Sequence, residues 1–548
     1  YYIIIMNMKT TKDIIIASLN EALEKLNISK PIVLTESKNY GDYSSNIALT
    51  LQKDLGKKAI DIAQEIVRNI DLNKFKEISE IKVAEPGFIN FWVSNSVIAN
   101  TINQINNEGS TYGSIDPKGK GAINVEFVSA NPTGYLHIGH ARNAAIGATL
   151  CNILEKAGHR VVREYLVNDY GNQMNKMADS IFARYQQIFN PEFPMPEDSY
   201  HGGDMIEFAQ AFYDIHKDEY KNVEYTDEIR KIFRSFGRDF ALKNIIEDMK
   251  KFGVTFDIFT SEAEQYAKNR VWPAIHRLKT TYKKDGATWL ETTKGGKDDK
   301  DRVIIKSNGD STYFCADIAY HEQKLLELND PNGKIVDIWG ADHSGYVERV
   351  KFSFEDLGHR RDQIEILLFQ LIRIMKNGKE VKMSKRLGTS LTLRELAEEV
   401  GNDAIRYFLI DRSYNSRIDF DINKVTDNNE NNPMYIIKYA HARACQLLDK
   451  VGIENPIASD ELDNEYAQKL VAELKEYPEL ISTMAKTYKV NLLPPYLLKL
   501  SKAFNSFYSN TKVLGSPNEQ SLAALVKATK IVLADGLKLM DIEAPEKM

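Results

Sequence analysis

Between Asp13 and Val67 apolar residues recur at helical spacing, with Ile14, Ile15, Leu19, Leu23 and Leu26 falling on one side, and this stretch predicts helices. From Ile81 to Val93 the pattern changes to alternation on either side of Glu85, Pro86 and Gly87, which predicts two strands joined by a turn. Together they are expected to form a small α+β domain over residues 8–110. The following stretch, Glu108 to Gly121, is dense in Gly, Ser and Pro and reads as a linker. Ala122 to Val128 then reads as a short apolar strand, followed by a Pro/Thr/Gly turn, a helical run from Ala141 to Ala157 and a second strand from Arg160 to Val167. That order opens a βαβ unit, and an α/β domain is expected over 120–394. From about Glu395 to Met548 strand signals fade and amphipathic helices such as Tyr435–Lys450 and Pro495–Tyr508 follow one another, predicting an all-α domain over 395–548. No internal repeat is present, and the biased segments Lys294–Arg302 and Asp427–Asn432 are short and loop-like.

Composition narrows the class. The 548 residues, 43% hydrophobic and 27% charged with 30 Gly and 16 Pro, exclude collagen-like, wholly disordered and membrane-bundle proteins. No apolar run approaches the ~18 to 20 residues needed to cross a bilayer, so no membrane partner is expected. A formal charge of −6 argues against an even electrostatic grip on nucleic acid, so any such contact must be a local basic surface. Cys151, Cys315 and Cys445 stand far apart, without the spacing of a structural zinc site or a disulfide framework. With an apolar start, Tyr1–Met8, that lacks the basic leader of a signal peptide, the expectation is a cytoplasmic protein whose natural start is Met6 or Met8.

Candidate chemistry concentrates between Glu126 and His140. At this composition His137-Ile138-Gly139-His140 would arise by chance about 0.01 times in such a chain. Pro132 and Gly134 make a turn after a strand, and a helix begins near His137 with amide N–H groups and a positive dipole end that suit a phosphate. His137 and His140 share a face of that helix, and Gly139 leaves room for a nucleotide against the backbone. Far downstream Lys382-Met383-Ser384-Lys385 places two ammonium groups in a polar stretch, able to neutralise charge on a departing pyrophosphate. Alone, such a tetrapeptide reads as a solvated loop.

Together the two motifs resemble those of class I aminoacyl-tRNA synthetases, and the surrounding residues narrow the resemblance to the arginyl-tRNA synthetases. It rests on Gly41, Asp42, Tyr43 and Asn46, on Glu126 through Arg142, and on Val167 through Gln173. It continues through Tyr313–Tyr320, Gly340–Tyr346, Asp403–Arg406, Tyr439–Arg443 and the closing Ala544–Met548. The resemblance implies three parts: an N-terminal tRNA-contacting domain, a Rossmann-type catalytic domain with insertions and a helical anticodon-binding domain. It implies His137, His140, Lys382 and Lys385 as catalytic residues, and Gly139, Gly340, Asp342 and His343, with both histidines and Lys385, as ATP contacts. Glu126 and Asn131 would hold the amino and carboxylate end of arginine; Glu262, Tyr313 and Asp317 would hold the guanidinium, whose five fixed donors call for carboxylates. Lys438, His441 and Arg443 would contact tRNA(Arg).

The implied reaction uses ATP with Mg2+ to form arginyl-adenylate, from which the 2′-OH of the tRNA's terminal adenosine takes the arginine; no resident cofactor is needed, and a monomer is expected. Two departures stand out: Ser344 where relatives often carry a second His, and Lys438 where they carry Gln. A small adenylyltransferase would not need the helical C-terminal third, and a silent tRNA-binding paralogue would be expected to lose a His or Lys from the signatures. A cysteinyl enzyme would need a metal site that three scattered cysteines do not supply.

Overall fold

The computed structural model describes residues 11–37, 41–296, 298–381, 391–427, 429, 431–459, 462 and 464–548. In the N-terminal part, strands β1 (Leu34–Glu36), β2 (Tyr43–Ser45), β3 (Ile78–Ala84) and β4 (Phe88–Val93) form an antiparallel sheet in the order β1-β2-β4-β3, with helices Thr11–Lys25, Ile47–Leu55 and Ala59–Arg68. Alternation on β4 sends Ile89, Phe91 and Val93 into this core. The helical pattern read before Val67 thus also contains two three-residue strands, too short to leave a period.

The next helix, Asn95–Glu108, belongs to two cores. Val97 stays with the N-terminal cluster, whereas Ile98, Ala99, Ile102 and Ile105 pack among the C-terminal helices. Asn103 Nδ2 donates to Ala458 O and Asn106 Nδ2 to Ala524 O, both at 2.9 Å. The changeover therefore falls inside this helix, ahead of the glycine-rich segment where the sequence suggested it. Turn-forming composition marks a loop, but an apolar stripe decides which core a helix joins.

The central sheet is parallel, with strands β5 (Ile123–Glu126), β6 (Val161–Val167), β7 (Ile258–Ser261), β11 (Lys334–Gly340) and β12 (Ile364–Phe369) in the order β12-β11-β5-β6-β7. The chain runs outward from β5 through β6 and β7, then returns to β11 on the other side. The carboxyl ends of β5 and β11 thus flank a topological switch point, the place where such sheets bind ligands. A helical insertion with its own aromatic core (Phe182, Tyr185, Phe208, Phe212, Phe233) lies between β6 and β7. Between β7 and β11 come a small antiparallel sheet, β8 (Thr281–Lys284), β9 (Ala287–Leu290) and β10 (Arg302–Ile305), and the helix Tyr313–Glu327.

A last sheet joins β13 (Ile372–Lys376), β14 (Lys379–Val381) and β15 (Ile418–Asp421), so sheet structure continues past Glu395. Four residues were too few to register as a strand signal. From Pro433 onward, among the described residues, five α-helices form the C-terminal bundle. The helix Ile138–Lys156 is buried on almost every side, with Ala141, Ala145, Leu150, Ile153 and Leu154 at or below 1% exposure. It packs against the sheet and against Asn402–Ile410 and Tyr477–Thr487, and Gly147 admits the Phe127 ring. Among the described residues no helix is long and apolar enough to cross a membrane.

Candidate active site

At the end of β5 the backbone turns sharply. Val128 and Ser129 take positive φ values, 69° and 38°, a region a β-branched side chain avoids at a cost on the order of 1–3 kcal/mol. Hydrogen bonds hold it there. Val128 N–H donates to Asn143 Oδ1 (3.0 Å), whose amide donates to Ile338 O on β11 (2.9 Å); Leu166 N–H donates to Ser129 Oγ (3.0 Å) and Tyr165 Oη to Ala130 O (2.7 Å).

The turn ends where His137 caps the helix Ile138–Lys156. Gly139 N–H donates to His137 Nδ1 (3.1 Å) and His137 N–H donates to His140 Nδ1 (3.2 Å), a reciprocal capping box made of two histidines. Their rings stack at 3.9 Å. Because each Nδ1 accepts, each neutral ring carries its proton on Nε2, so both present N–H donors at the helix's positive end. A Cβ on residue 139 would lie 2.9 Å from His137 Cε1, so Gly139 is needed for the ring's seat.

Lys382 and Lys385 lie outside the described residues. The chain beyond them is tied to the same turn: Leu393 N–H donates to Leu136 O (2.7 Å), and His137 bridges Thr392. A cavity of about 360 Å³ beside this turn is lined by Tyr135, Asp204, Glu207, Asp248, Arg394 and Glu395. Its acidic lining opposes a polyphosphate. On the other side β11 ends at Gly340, where a Cβ would collide with the Asp342 carboxylate. Asp342 and His343 follow in one 3₁₀ turn, both well exposed, 3.6 Å apart.

Opposite lies a cluster of carboxylates. Glu262 starts the helix Glu262–Ala267 after β7, held by Asp169, which accepts from Ser261 Oγ (2.8 Å) and Ala263 N–H (3.0 Å). Tyr313 starts the helix Tyr313–Glu327, its ring exposed and its hydroxyl beside Gly171; Asp317 follows one turn later. Burial, then the charges of Asp317 and Asp169, push Glu262 up to about 7. Burial likewise pushes Asp317 to about 6, with Glu126 adding to the rise. Asn131 Nδ2 donates to Gln173 Oε1 (2.6 Å).

Glu126 is 4% exposed, with Oε1 accepting from Ser129 Oγ (2.9 Å) and Oε2 from Lys324 Nζ (2.7 Å). Lys324 also donates to Asp337 Oδ1 (2.6 Å), and His321 Nε2 lies 2.8 Å from Asp337 Oδ2. Glu164 accepts from Asn124, Thr260 and Tyr320 (2.5, 2.7 and 2.9 Å). Burial opposes the charge on Lys324, but Asp337, Glu126 and Glu164 outweigh it and hold the ammonium above the usual lysine range. Burial pushes Glu126 up, further than Lys324 pulls it down. Lys324, His321, Asp337, Glu164 and Asp169 were missed in the sequence. The spacing Asp317, Tyr320, His321, Lys324 was a signal, a polar stripe where a helix facing a sheet should be apolar.

The proposed tRNA residues separate. Lys438 pairs with Asp403. His441 is not on an open face with it: the ring is 2% exposed, with Nδ1 2.8 Å from Pro545 O, because the closing segment of the chain covers it. Helical spacing gives a common side of a helix, not what packs there. The Arg443 guanidinium lies between the rings of Tyr439 and Tyr508 (4.4 and 4.6 Å) and donates to Asn505 Oδ1 (3.0 Å), beside a cavity of about 110 Å³. Among the described residues no group of three or more His, Cys, Asp or Glu is placed to hold a metal ion.

Three family descriptions match in succession: the arginyl tRNA synthetase N terminal domain over residues 9–93, the class I (R) tRNA synthetase catalytic domain over 101–434 and the DALR anticodon binding domain over 437–548. The chain is 72% identical over 542 residues to an arginine–tRNA ligase of Metamycoplasma arthritidis, covering 99% of this chain and all of that one. It is 38% identical to the Bacillus subtilis arginine–tRNA ligase, covering 98% and 99%. The crystal structure of a putative arginyl-tRNA synthetase from Campylobacter jejuni superposes with a TM-score of 0.77 at 31% identity, over 83% of this chain and all of that one. The Thermus thermophilus arginyl-tRNA synthetase, at 21% identity, shares the fold with a TM-score of 0.77 over 98% of this chain and all of that one. On matches that span the chain from end to end, this protein belongs to the class I arginyl-tRNA synthetase family.

Proposed function

We infer that the protein ligates L-arginine to tRNA(Arg) through an arginyl-adenylate, with ATP as co-substrate and AMP and diphosphate as products, for protein synthesis. The observation that carries the choice of amino acid is the pairing of Glu262 and Asp317, both pushed above the ordinary carboxylate range and both relieved by a guanidinium. Tyr313 closes the entrance, and Glu126 and Asn131 take the amino and carboxylate end. ATP, carrying Mg2+, lies between the histidine turn and Gly340, with Asp342 toward the ribose and His343 at the rim.

The arginine carboxylate attacks the α-phosphorus. Charge that develops on the phosphate oxygens meets the Nε2–H groups of His137 and His140 and the amide N–H groups at the helix start, donors already held in place. Lys382 and Lys385 would neutralise the departing pyrophosphate. The 2′-OH of the tRNA's terminal adenosine then attacks the adenylate carbonyl, and no protein nucleophile is required. Arg443, between two tyrosines, suits an unpaired base better than Lys438 or His441, since a guanidinium and aromatic rings offer stacking surfaces. The enzyme acts as a monomer in the cytoplasm.

Pyrophosphate exchange measured across the amino acids, with and without tRNA, tests this reading. Exchange is expected with arginine alone among them, and to depend on tRNA. Exchange with another amino acid overturns the pocket assignment; robust exchange without tRNA removes only the coupling to tRNA.

A further inference from the structure

The interface between the helix Tyr313–Glu327 and the central sheet combines apolar contacts, such as Ile318 and Leu325 clustering with Ile335, with a buried polar stripe. Lys324, 1% exposed, places its ammonium between Glu126 of β5 and Asp337 of β11, and over the Tyr320 ring at 4.5 Å. A lysine so deeply buried is costly unless its hydrogen bonds are met, and replacing such an ionic group by apolar residues is often neutral or stabilising. Its retention therefore calls for a reason other than packing.

We propose that Lys324 is a positioning residue for amino-acid recognition: anchored on Asp337, it holds the Glu126 carboxylate in place and aimed at the α-ammonium group of arginine. The proposal rests on the assignment of Glu126 to the amino end of the substrate. Ser129 Oγ fixes one Glu126 oxygen and Lys324 Nζ the other, so the carboxylate cannot rotate, while each oxygen keeps a second lone pair for a ligand. The same cluster adjoins the helical turn that carries Asp317, because His321 sits 2.8 Å from Asp337 through Nε2 and 2.6 Å from the Asp317 backbone carbonyl through Nδ1.

Equilibrium binding of L-arginine and of 5-guanidinopentanoate, arginine without its α-amino group, tests this on the full-length enzyme. Wild type is expected to prefer arginine. Lys324→Met should weaken arginine binding about tenfold or more and leave 5-guanidinopentanoate within about twofold. In aminoacylation it should raise arginine KM with most of kcat retained. Glu126→Gln should show the same loss of preference, and the double variant should add little to either. Lys324→Gln keeps a donor without the charge, should lie between, and serves where Lys324→Met does not fold. A Lys324 variant that keeps the wild-type preference, or that loses both ligands equally, makes Lys324 a packing residue and overturns the proposal. If Glu126→Gln itself keeps the preference, it is the assignment of Glu126 that fails; a shift in Glu126→Gln without one in either Lys324 variant refutes the positioning role alone.

Discussion

On the proposed nucleotide side His137 and His140 bond to backbone amides at the start of a helix sunk in an apolar core, whereas on the proposed arginine side Glu126 accepts from Ser129 and Lys324, and Glu262 and Asp317 are pushed up by burial and by neighbouring carboxylates. The donors of the first arrangement are backbone amide N–H groups, which do not titrate. The second carries an electrostatic cost that protonation or a bound cation relieves. Under the proposed function, the first arrangement serves the chemical step and the second discriminates between amino acids.

The largest expected effect sharpens the first half. His140→Ala removes one donor for the developing charge and opens half of the capping box, so adenylate formation should fall on the order of 10²- to 10³-fold with ATP affinity little changed. Full-rate pyrophosphate exchange in this variant would leave the histidines as caps alone. Next, Asp317→Asn should cost about 2 kcal/mol of arginine binding, raising arginine KM roughly 30-fold, with ATP KM unaltered. Normal charging at normal arginine KM would break the pocket assignment.

A smaller and more diagnostic effect comes from pH. Glu262 at about 7 and Asp317 at about 6 must both ionise to hold a guanidinium, so arginine affinity should rise about twentyfold between pH 6 and pH 8. Stability of the ligand-free protein should move the opposite way. The folded state retains protons that the unfolded chain releases, so these groups cost nothing below their ordinary range near pH 4 and most above pH 7. Glu262→Gln should therefore raise the Tm of the ligand-free enzyme at pH 8, but not at pH 4, while weakening arginine binding. Titration calorimetry and thermal melts at the two pH values separate these outcomes. The smallest effect lies outside the crevice: Arg443→Glu should weaken tRNA binding severalfold and flatten its salt slope by roughly one, with arginine and ATP binding intact.

Much of the nucleotide half was legible in the sequence because it is local. His137, Gly139 and His140 are close in the chain, and strand, turn and helix start are short-range signals. The arginine half is contributed by β5, β7, β11 and the helix Tyr313–Glu327, separated by up to two hundred residues, so resemblance could nominate Glu126, Glu262 and Asp317 but spacing could not bring them together. His441 illustrates the limit from the other side, since its neighbour is the Pro545 carbonyl, about a hundred positions later.

By itself the sequence determined the three-part order of elements, the turn and helix start at His137 and the absence of a cysteine framework, since each follows from periodicity, turn chemistry or residue count. Tertiary structure alone decided that the helix Asn95–Glu108 joins the C-terminal core, that sheet structure continues to Asp421, and that Lys324 and Asp337 stand behind Glu126. The reason is physical: helices and turns are specified by interactions within a few residues, whereas burial of a charge is decided by which distant groups the fold brings to meet it.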